Sequence, residues 1–295
     1  MAALPDTPET RGYQTHQQRQ RLRLFGLLLP GTFWLIVFFL LPLAIIVIYS
    51  FLQRSPTGDI AWTFSLENYS RLFNNPLYLG IFWRSFYYAI ITTALCMLIG
   101  YPLALFIAQQ RPRWRAALIF AIMIPFWTNF LVRIYAWRFL LNNTGLINTT
   151  IEALGFERLN LINTPTAVLI GLVYGELPFM VLPIYAALER FDWTLLEAAQ
   201  DLYASRARAF WRVLLPLTMP GITAGAVLVF VPTVGSFVVP QLLGGNKVAM
   251  LGNILEDQFQ SAQNIPFGSA IALVFMAILT LAIVLYFRMT TEESR

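Results

Sequence analysis

The chain has 295 residues, of which 58% are hydrophobic and only 12% are charged, and its formal net charge is +5. Soluble domains carry about 25% charged residues, so this composition excludes a soluble enzyme. A nucleic-acid-binding protein is also excluded, because the basic residues form no dominant stripe. One cysteine and one histidine cannot make a disulfide scaffold or a multi-histidine metal site. These features indicate an integral membrane protein.

Six segments are long and apolar enough to cross a membrane, which requires about 20 mostly apolar residues. They are Leu24–Phe51, Trp83–Ala108, Trp114–Tyr135, Thr166–Leu188, Pro220–Pro240 and Phe267–Phe287. The sequence therefore predicts an all-α integral membrane protein with one six-span domain over residues 24–288. Residues 1–23 and 289–295 are predicted to be tails on either side of that domain.

The distribution of basic residues predicts which side of the membrane each loop occupies. Arginines are concentrated before the first span, between the second and third spans, between the fourth and fifth spans, and after the sixth span. Loops rich in Lys and Arg tend to stay in the cytoplasm. Both termini and the loop 190–219 are therefore predicted to be cytoplasmic.

The loop 190–219 contains a predicted short helix. Thr194 and Glu197 have the spacing of a capping box, which predicts that the helix begins at Thr194. Apolar residues follow at helical spacing, namely Leu195, Leu196, Ala199 and Leu202. Pro220 suits the first turn of the next helix. Because an apolar-striped helix of this length cannot span the membrane, it favours contact with a protein partner.

The same loop carries a sequence motif. Seven residues define it, namely Glu197, Ala198, Ala199, Tyr203, Val213, Leu215 and Pro216. Their spacing resembles the EAA loop of ABC-importer permeases, in which Glu-Ala-Ala is followed by three residues, Gly, nine residues and Ile-x-Leu-Pro. Val213 replaces the family's Ile and Tyr203 replaces its Gly. That Gly lies in a turn between two short helices, where a Tyr is strained if φ is positive.

Further segments resemble the spermidine/putrescine permeases of the PotB and PotH type. They are Pro125–Asn129, Arg133–Trp137, Pro178–Tyr185, Leu215–Gly221 and Val238–Gly245. The resemblance covers the chain from about residue 25 to about residue 287. It implies the MetI-like fold of ABC-importer permeases, with the EAA loop as the coupling loop, and a location in a bacterial inner membrane.

The resemblance also implies the rest of a transport machine. A second permease subunit pairs with this one, two ATPase subunits dock on the EAA loops, and an extracytoplasmic polyamine-binding protein delivers the cargo. ATP and Mg belong to the ATPase subunits, and no cofactor is expected on this chain, which shows no Gly-rich phosphate loop of its own. The chain is thus expected to be a transport subunit in contact with membrane lipid, not an enzyme.

Glu176 is the best candidate for a substrate contact, because an ionisable residue at membrane depth is costly and indicates function. It is predicted about ten residues into the fourth span, roughly 15 Å deep. We expect Glu176 to attract a cationic amine, with Tyr174 and Phe179 near enough for cation–π contact. The alternatives are that Glu176 pairs with an arginine or is protonated.

Residues of the third span are predicted to line the same path, namely Trp127, Thr128 and Asn129. A kinked core helix is the alternative there. Arg133 is interpreted as structural, either reaching the membrane interface or holding Glu176 or a loop carboxylate in place.

Several residues in the spans are predicted to interrupt or tighten helices. Prolines and a glycine that would bend or break regular helix are Pro125, Pro178, Pro183, Pro232 and Gly235. Gly171 and Gly175 have the small-xxx-small spacing of a close helix contact.

Two other functions remain open from the sequence. One is an ABC permease for another small solute, such as an opine or amino-acid-like compound, a phosphonate or an iron chelate, although an anionic cargo would fit Glu176 poorly. The other is a channel or ion-coupled carrier that works alone, which leaves the EAA spacing unexplained.

Overall fold

The computed structural model describes residues 27–55 and 58–292, and this part of the chain is almost entirely helical. The predicted tail 1–23 lies outside the described residues, as do the last three residues of the predicted tail 289–295. The helices are α1 (Leu27–Ser50), α2 (Glu67–Asn74), α3 (Pro76–Ala108), α4 (Pro112–Met123), α5 (Phe130–Leu141), α6 (Leu146–Ala153), α7 (Pro165–Glu189), α8 (Thr194–Asp201), α9 (Arg206–Val234), α10 (Val238–Leu243), α11 (Leu251–Glu256) and α12 (Ile265–Glu292).

Within the described residues, five helices are long and apolar enough to cross a membrane, and a bent pair makes a sixth candidate. The five are α1, α3, α7, α9 and α12. This confirms the predicted all-α membrane protein. Their bounds differ from the prediction mainly at the helix starts, since α3 begins at Pro76, ahead of the predicted Trp83, and α9 begins at Arg206, ahead of Pro220.

The predicted third span is not one continuous helix. Helix α4 tightens into a 3₁₀ turn at Ile124–Trp127, and the chain then bends by 90° before the segment Phe130–Ala153. Pro125 lies in that 3₁₀ turn, and Thr128 is extended, with ψ at 151°. Since extended backbone cannot continue an α-helix, the bend predicted near Pro125 is a complete break.

The other prolines do not interrupt their helices as predicted. Pro178 and Pro183 lie inside α7, and Pro220 lies inside α9 instead of in its first turn. A wide π turn at Phe210–Leu214 precedes Pro216 in α9, and such turns accommodate irregular hydrogen bonding. In membrane helices, neighbouring helices and local adjustments satisfy the carbonyls that proline leaves free.

Two compact units can be distinguished. One comprises the described residues up to Asn68 together with Asn264–Val274, and the other comprises Tyr69–Gln263 and the residues from Phe275 onwards. The first unit contains α1 and an antiparallel hairpin of β1 (Gln53–Arg54) and β2 (Ile60–Ala61). The amide of Asn68 donates to the carbonyls of Ser50 and Leu52, which ties the end of α1 to the start of α2.

The core of the second unit is formed by α3, α7 and α9, which pack against one another in all three pairs. Their approach is close because α9 presents glycine to α7. A Cβ atom at Gly221 would lie 2.6 Å from both the Cβ of Ala187 and the carbonyl oxygen of Pro183. A buried hydrogen bond of 3.1 Å between Tyr101 and Thr218 joins α3 to α9.

The predicted glycine contact is half correct. A Cβ atom at Gly171 would lie 2.5 Å from Leu243 and 2.9 Å from Val239, so the small residue lets α10 approach α7. Gly175 has no neighbour within 4 Å of the same position. Helical spacing alone cannot tell which of two small residues faces a partner, because the partner's position is a tertiary property.

Candidate functional site

The coupling-loop candidate begins with α8, which starts at Thr194 as predicted. The predicted capping box is wrong, because no side chain from within the helix caps its first turn. Asp192 does so instead: its Oδ1 accepts hydrogen bonds from the backbone N–H of Thr194 at 3.0 Å and from the Thr194 hydroxyl at 2.8 Å. Glu197 is exposed on the first turn, where the helix dipole stabilises a negative charge.

The turn after α8 has the geometry that favours glycine, although it is occupied by Tyr203. Its φ is +61°, in the left-handed region. The N–H of Tyr203 donates to the carbonyl of Gln200, and the N–H of Ala204 donates to that of Ala199. This hydrogen-bond pair is the Schellman motif, whose left-handed position is usually glycine. The turn therefore has the left-handed geometry that suits glycine, and Tyr203 is strained in it.

The apolar stripe of α8 is partly buried against the core and partly exposed. Leu196 and Ala199 are half-buried, and Leu196 packs on the core of the second unit. Leu195 is exposed, Leu202 is 82% exposed and Tyr203 is 94% exposed. The loop thus presents an apolar surface to its surroundings.

The remaining residues of the motif lie at the start of α9. Val213 and Leu215 are half-buried and pack on the same core, and Pro216 is exposed. Ala198 is exposed beside Glu197. One part of the motif therefore packs on the core, and the other part is exposed.

The second candidate site surrounds Glu176 in the middle of α7. Its Oε2 atom is buried and makes no hydrogen bond with any described residue. A buried carboxylate oxygen without a donor is costly. Among buried side-chain atoms of the described residues, only three others share this condition, namely Thr92 Oγ1, Arg133 Nε and Arg133 Nη1.

Two aromatic contacts lie on either side of Glu176 along α7. Before it, the ring of Tyr174 meets that of Trp137 at 5.3 Å between centroids, and after it, the ring of Phe179 meets that of Phe126 at 5.1 Å. Both pairs are edge-to-face, the arrangement that aromatic rings prefer. These four residues, which we call the aromatic cluster, therefore join α7 to Phe126 at the break and to Trp137 on α5.

Arg133 contacts the aromatic cluster through Phe126 and does not hold Glu176. Its guanidinium carbon is 4.7 Å from the centroid of Phe126 and 5.7 Å from that of Phe130. No described carboxylate forms an ion pair with it, so the predicted role as an anchor for Glu176 is not seen in the structure. Arg133 and Trp137 are four residues apart on α5, which puts them on one helix face.

The three residues predicted from the third span lie at the break itself. Trp127 is 79% exposed and its ring contacts Phe120 of its own helix at 5.8 Å. Asn129 caps α5, because its Oδ1 accepts from the N–H of Leu131 at 2.8 Å. The hydroxyl of Thr128 donates to the carbonyl of Pro125 at 2.6 Å. Thr128 and Asn129 therefore stabilise the break through local hydrogen bonds.

Sequence reasoning did not select several residues of this cluster. Phe126 and Trp137 supply two of its four rings. Cys96 faces α7 from α3, where its thiol donates to the carbonyl of Val173 at 3.7 Å. The four-residue spacing of Arg133 and Trp137 was the available signal. The sequence does not specify which residues Arg133 and Trp137 contact, because those contacts depend on the direction of α5.

A cavity of about 610 Å³ lies further along α7, towards its end at Glu189. Pro183, Ala187 and Arg190 line it from α7 and the residue that follows, and Gly221 and Ala224 line it from α9. Positions 176, 183, 187 and 190 recur at helical spacing, so the cavity lies on the side of α7 that carries Glu176.

Comparison with known proteins shows the family to which the chain belongs. Residues 100–290 match the protein family described as binding-protein-dependent transport system inner membrane component. The chain belongs to this family. It is therefore a multi-pass inner-membrane subunit of a transport system that works with a binding protein, and the family match includes α7, the loop 190–219 and the whole of α9.

Members with known names extend the match over most of the chain. The chain is 44% identical over 257 residues to the spermidine/putrescine transport system permease protein PotB of Haemophilus influenzae, covering 86% of this chain and 90% of that protein. It is 41% identical to PotB of Escherichia coli strain K12, covering 86% of this chain and 93% of that protein.

A solved structure shows that the fold is shared within ABC transporters. A chain of a bacterial alginate ABC transporter, crystallised with an alginate pentasaccharide-bound periplasmic protein, superposes with a TM-score of 0.75. The superposition covers 95% of this chain and 98% of that one, at 16% sequence identity. The family member described here therefore has the fold of an ABC-transporter permease.

Proposed function

We propose that this chain is a permease subunit of an ATP-driven importer of polyamines such as spermidine and putrescine. The single observation that carries the proposal is the 44% identity to a spermidine/putrescine permease over 86% of this chain. A buried carboxylate oxygen of Glu176 that has no hydrogen-bond partner among the described residues, in the middle of a membrane helix, supports a cationic cargo.

Glu176 is proposed as the amine contact. It lies eleven residues after Pro165, which is about 16 Å along the helix at 1.5 Å per residue, near the centre of a bilayer core of about 30 Å. An ammonium group donates hydrogen bonds and accepts none, so it complements the unpaired Oε2 of Glu176. Phe179, three residues further along α7, is close enough around the helix to add cation–π attraction, whereas Tyr174 points away from Glu176 towards Trp137.

The path is proposed to run along α7 from this cluster to the cavity of about 610 Å³ at Pro183. Helices broken at membrane depth often form binding sites in transporters, because free backbone groups and side chains there face the path. The break between α4 and α5 fits that role, since Phe126 at the break contacts Phe179 of α7, three residues from Glu176 in the chain.

The loop 190–219 is proposed as the coupling loop, with both termini and the loop in the cytoplasm. The exposed side chains of Leu202 and Tyr203, next to exposed Glu197 and Ala198, form a surface for an ATPase subunit. ATP and Mg would be bound and used on two such subunits, and an extracytoplasmic polyamine-binding protein and a second permease subunit complete the proposed importer.

Uptake of labelled spermidine by cells that carry the complete transporter tests this function. We expect energy-dependent uptake with the wild-type chain and at least a tenfold loss with Glu176→Gln, because the amide keeps the shape of the side chain and removes its charge. The matched control is Glu157→Gln, since Glu157 is exposed, outside the cluster, and its replacement should leave uptake unchanged.

Two results would overturn these proposals separately. If the wild-type transporter takes up no polyamine while all subunits assemble, the cargo is another solute. If the wild type is active and Glu176→Gln takes up spermidine normally, the cargo assignment stands and the role of Glu176 is wrong.

A further inference from the structure

The turn of α7 that carries Glu176 packs against α3 at Cys96. The Cys96 thiol donates to the carbonyl of Val173 at 3.7 Å, and it is close enough to Glu176 to interact with it electrostatically. One turn later on α3, a Cβ atom at Gly100 would lie 3.1 Å from the side chain of Met180. Because these contacts advance together along both helices, α3 and α7 run in the same direction here.

Thr92 lies one turn before Cys96, on the same face of α3. Both residues are fully buried, with no exposed surface. Side chains of an α-helix lean towards its N-terminus, so the carboxylate of Glu176 is directed back along α7. Since the two helices are parallel, this is also the direction that leads from Cys96 to Thr92. The carboxylate therefore points towards the level of Thr92.

The hydroxyl of Thr92 makes no hydrogen bond with any described residue. A serine or threonine inside a helix often donates to the carbonyl four residues earlier. Examples in the membrane helices of this chain are Ser85, Thr93, Thr218 and Thr233. Thr92 Oγ1 lacks such a bond, and Oε2 of Glu176 lacks a partner as well. Two helices in contact thus each carry one unsatisfied buried oxygen.

A primary ammonium group can satisfy both oxygens. It has three N–H donors and no acceptor, whereas a carboxylate and a hydroxyl oxygen both accept. One N–H can bond to Glu176 and another to Thr92. An ammonium that carries methyl groups in place of two hydrogens keeps a single N–H, so it cannot make both bonds. A site with two acceptors therefore favours primary ammonium groups.

We propose that Thr92 is a specificity-determining residue of the amine site, and that its hydroxyl accepts a second hydrogen bond from the ammonium group bound by Glu176. This inference rests on the proposed polyamine function. It narrows the cargo to compounds with primary ammonium groups. It also makes α3 a second wall of the site, with Cys96 next to the carboxylate.

Thr92→Val tests this role, because valine keeps the shape of the side chain and removes the hydroxyl. In the complete transporter we expect the KM for labelled putrescine to rise about tenfold, as for a lost hydrogen bond to a charged group. The maximal rate should stay nearly unchanged, which is the pattern of lost uniform binding.

Inhibition of putrescine uptake by tetramethylputrescine measures the specificity directly. Each of its two ammonium groups keeps a single N–H and gains nothing from a second acceptor. It should therefore inhibit the wild type and Thr92→Val equally well, so the preference for putrescine over this compound falls about tenfold in the variant. Thr92→Ser, which keeps the hydroxyl, should retain most of the preference.

Stability separates this role from a structural one. Because the Thr92 hydroxyl bonds to no described residue, its removal leaves no partner unsatisfied. The thermal midpoint of the purified transporter should therefore stay equal or rise in Thr92→Val. Thr93→Val is the matched control at the next position of α3, since the Thr93 hydroxyl donates to the carbonyl of Ala89 at 2.7 Å. It should leave the KM and the preference unchanged.

The outcomes distinguish this inference from the function on which it rests. If the wild type takes up polyamines but Thr92→Val keeps the wild-type preference for putrescine, whether or not the KM rises, the role of Thr92 is wrong and the proposed function stands. The role is equally wrong if Thr92→Ser or Thr93→Val loses the preference as fully as Thr92→Val. If the wild type takes up no polyamine, the proposed function itself fails.

Discussion

Tyr203 shows how one residue can preserve a turn that its own chemistry disfavours. With φ at +61°, it occupies the left-handed position of a Schellman motif, where a Cβ atom approaches the backbone. The hydrogen bonds from Tyr203 and Ala204 to the end of α8 keep that conformation in place. Because Tyr203 is 94% exposed, packing against the described residues does not compensate for the strain, and we expect a partner protein to contact the ring.

Replacing Tyr203 with glycine should therefore stabilise the loop. Glycine adopts positive φ without a steric penalty, so we expect a gain of about 1 kcal/mol, partly offset by the greater freedom of glycine in the unfolded chain. Amide hydrogen exchange of α8 in the purified transporter measures the gain directly. Tyr203→Ala, which removes the ring but keeps the Cβ atom, should give no such protection. An equal gain for both variants would mean that the ring, and not the backbone, is the source of strain.

At the scale of elements, the break between α4 and α5 sets the contacts of the aromatic cluster with α7. A continuous helix would carry Phe126 and Arg133 along one axis, whereas the 90° bend turns α5 so that Arg133 and Trp137 face the rings of α7 and α4. Asn129 starts the new helix by accepting a hydrogen bond from Leu131. The cap and the cluster are therefore linked through the direction of α5.

Asn129→Ala removes this cap and should loosen the start of α5. Loss of an N-cap side chain costs about 1 kcal/mol, so we expect faster hydrogen exchange at Leu131 and the residues after it, together with reduced uptake as the cluster loses its alignment. Asn129→Ser, which can also cap a helix, should retain most of both properties. Unchanged exchange in Asn129→Ala would show that packing against α7 alone sets the direction of α5.

At the scale of the whole molecule, the contacts among α3, α7 and α9 place the two candidate sites on a shared support. Helix α7 carries Glu176 and leads directly into the loop with α8. Helix α9 carries Val213, Leu215 and Pro216 of the loop motif before it packs on α7 at Gly221. Packing between α7 and α9 therefore connects the loop to the helix that carries Glu176. The connection is direct, because α7 is continuous from Glu176 to Glu189, where the loop begins.

Gly221→Ala tests how closely α7 and α9 must pack. Its Cβ atom would lie 2.6 Å from the carbonyl oxygen of Pro183, a rigid backbone atom, so we expect a loss of about 1–3 kcal/mol through overpacking. Gly175→Ala is the matched control, because nothing lies within 4 Å of its Cβ position. Thermal unfolding of the purified transporter should show a lower midpoint for Gly221→Ala only. Equal midpoints would indicate that the two helices separate at little cost.

The sequence alone determined the class of the protein, because composition and long apolar runs report directly on the cost of leaving apolar surface in water. It also located the helix that begins at Thr194 and the residue, Tyr203, that would be strained in a left-handed turn. Both are local properties, which depend on neighbours within a few residues. The family resemblance rested on spacing within the same short loop.

The tertiary structure decided which of several residues with equivalent sequence patterns break a helix or allow a close helix contact. Pro125 lies beside a complete break, whereas Pro178, Pro183 and Pro220 lie inside continuous helices. Gly171 is packed against α10 and Gly175 is not. The contacts of Arg133 with Phe126 and of Trp137 with Tyr174 depend on the 90° bend, which no residue spacing specifies. These outcomes depend on contacts between segments far apart in the chain, and only folding brings those segments together.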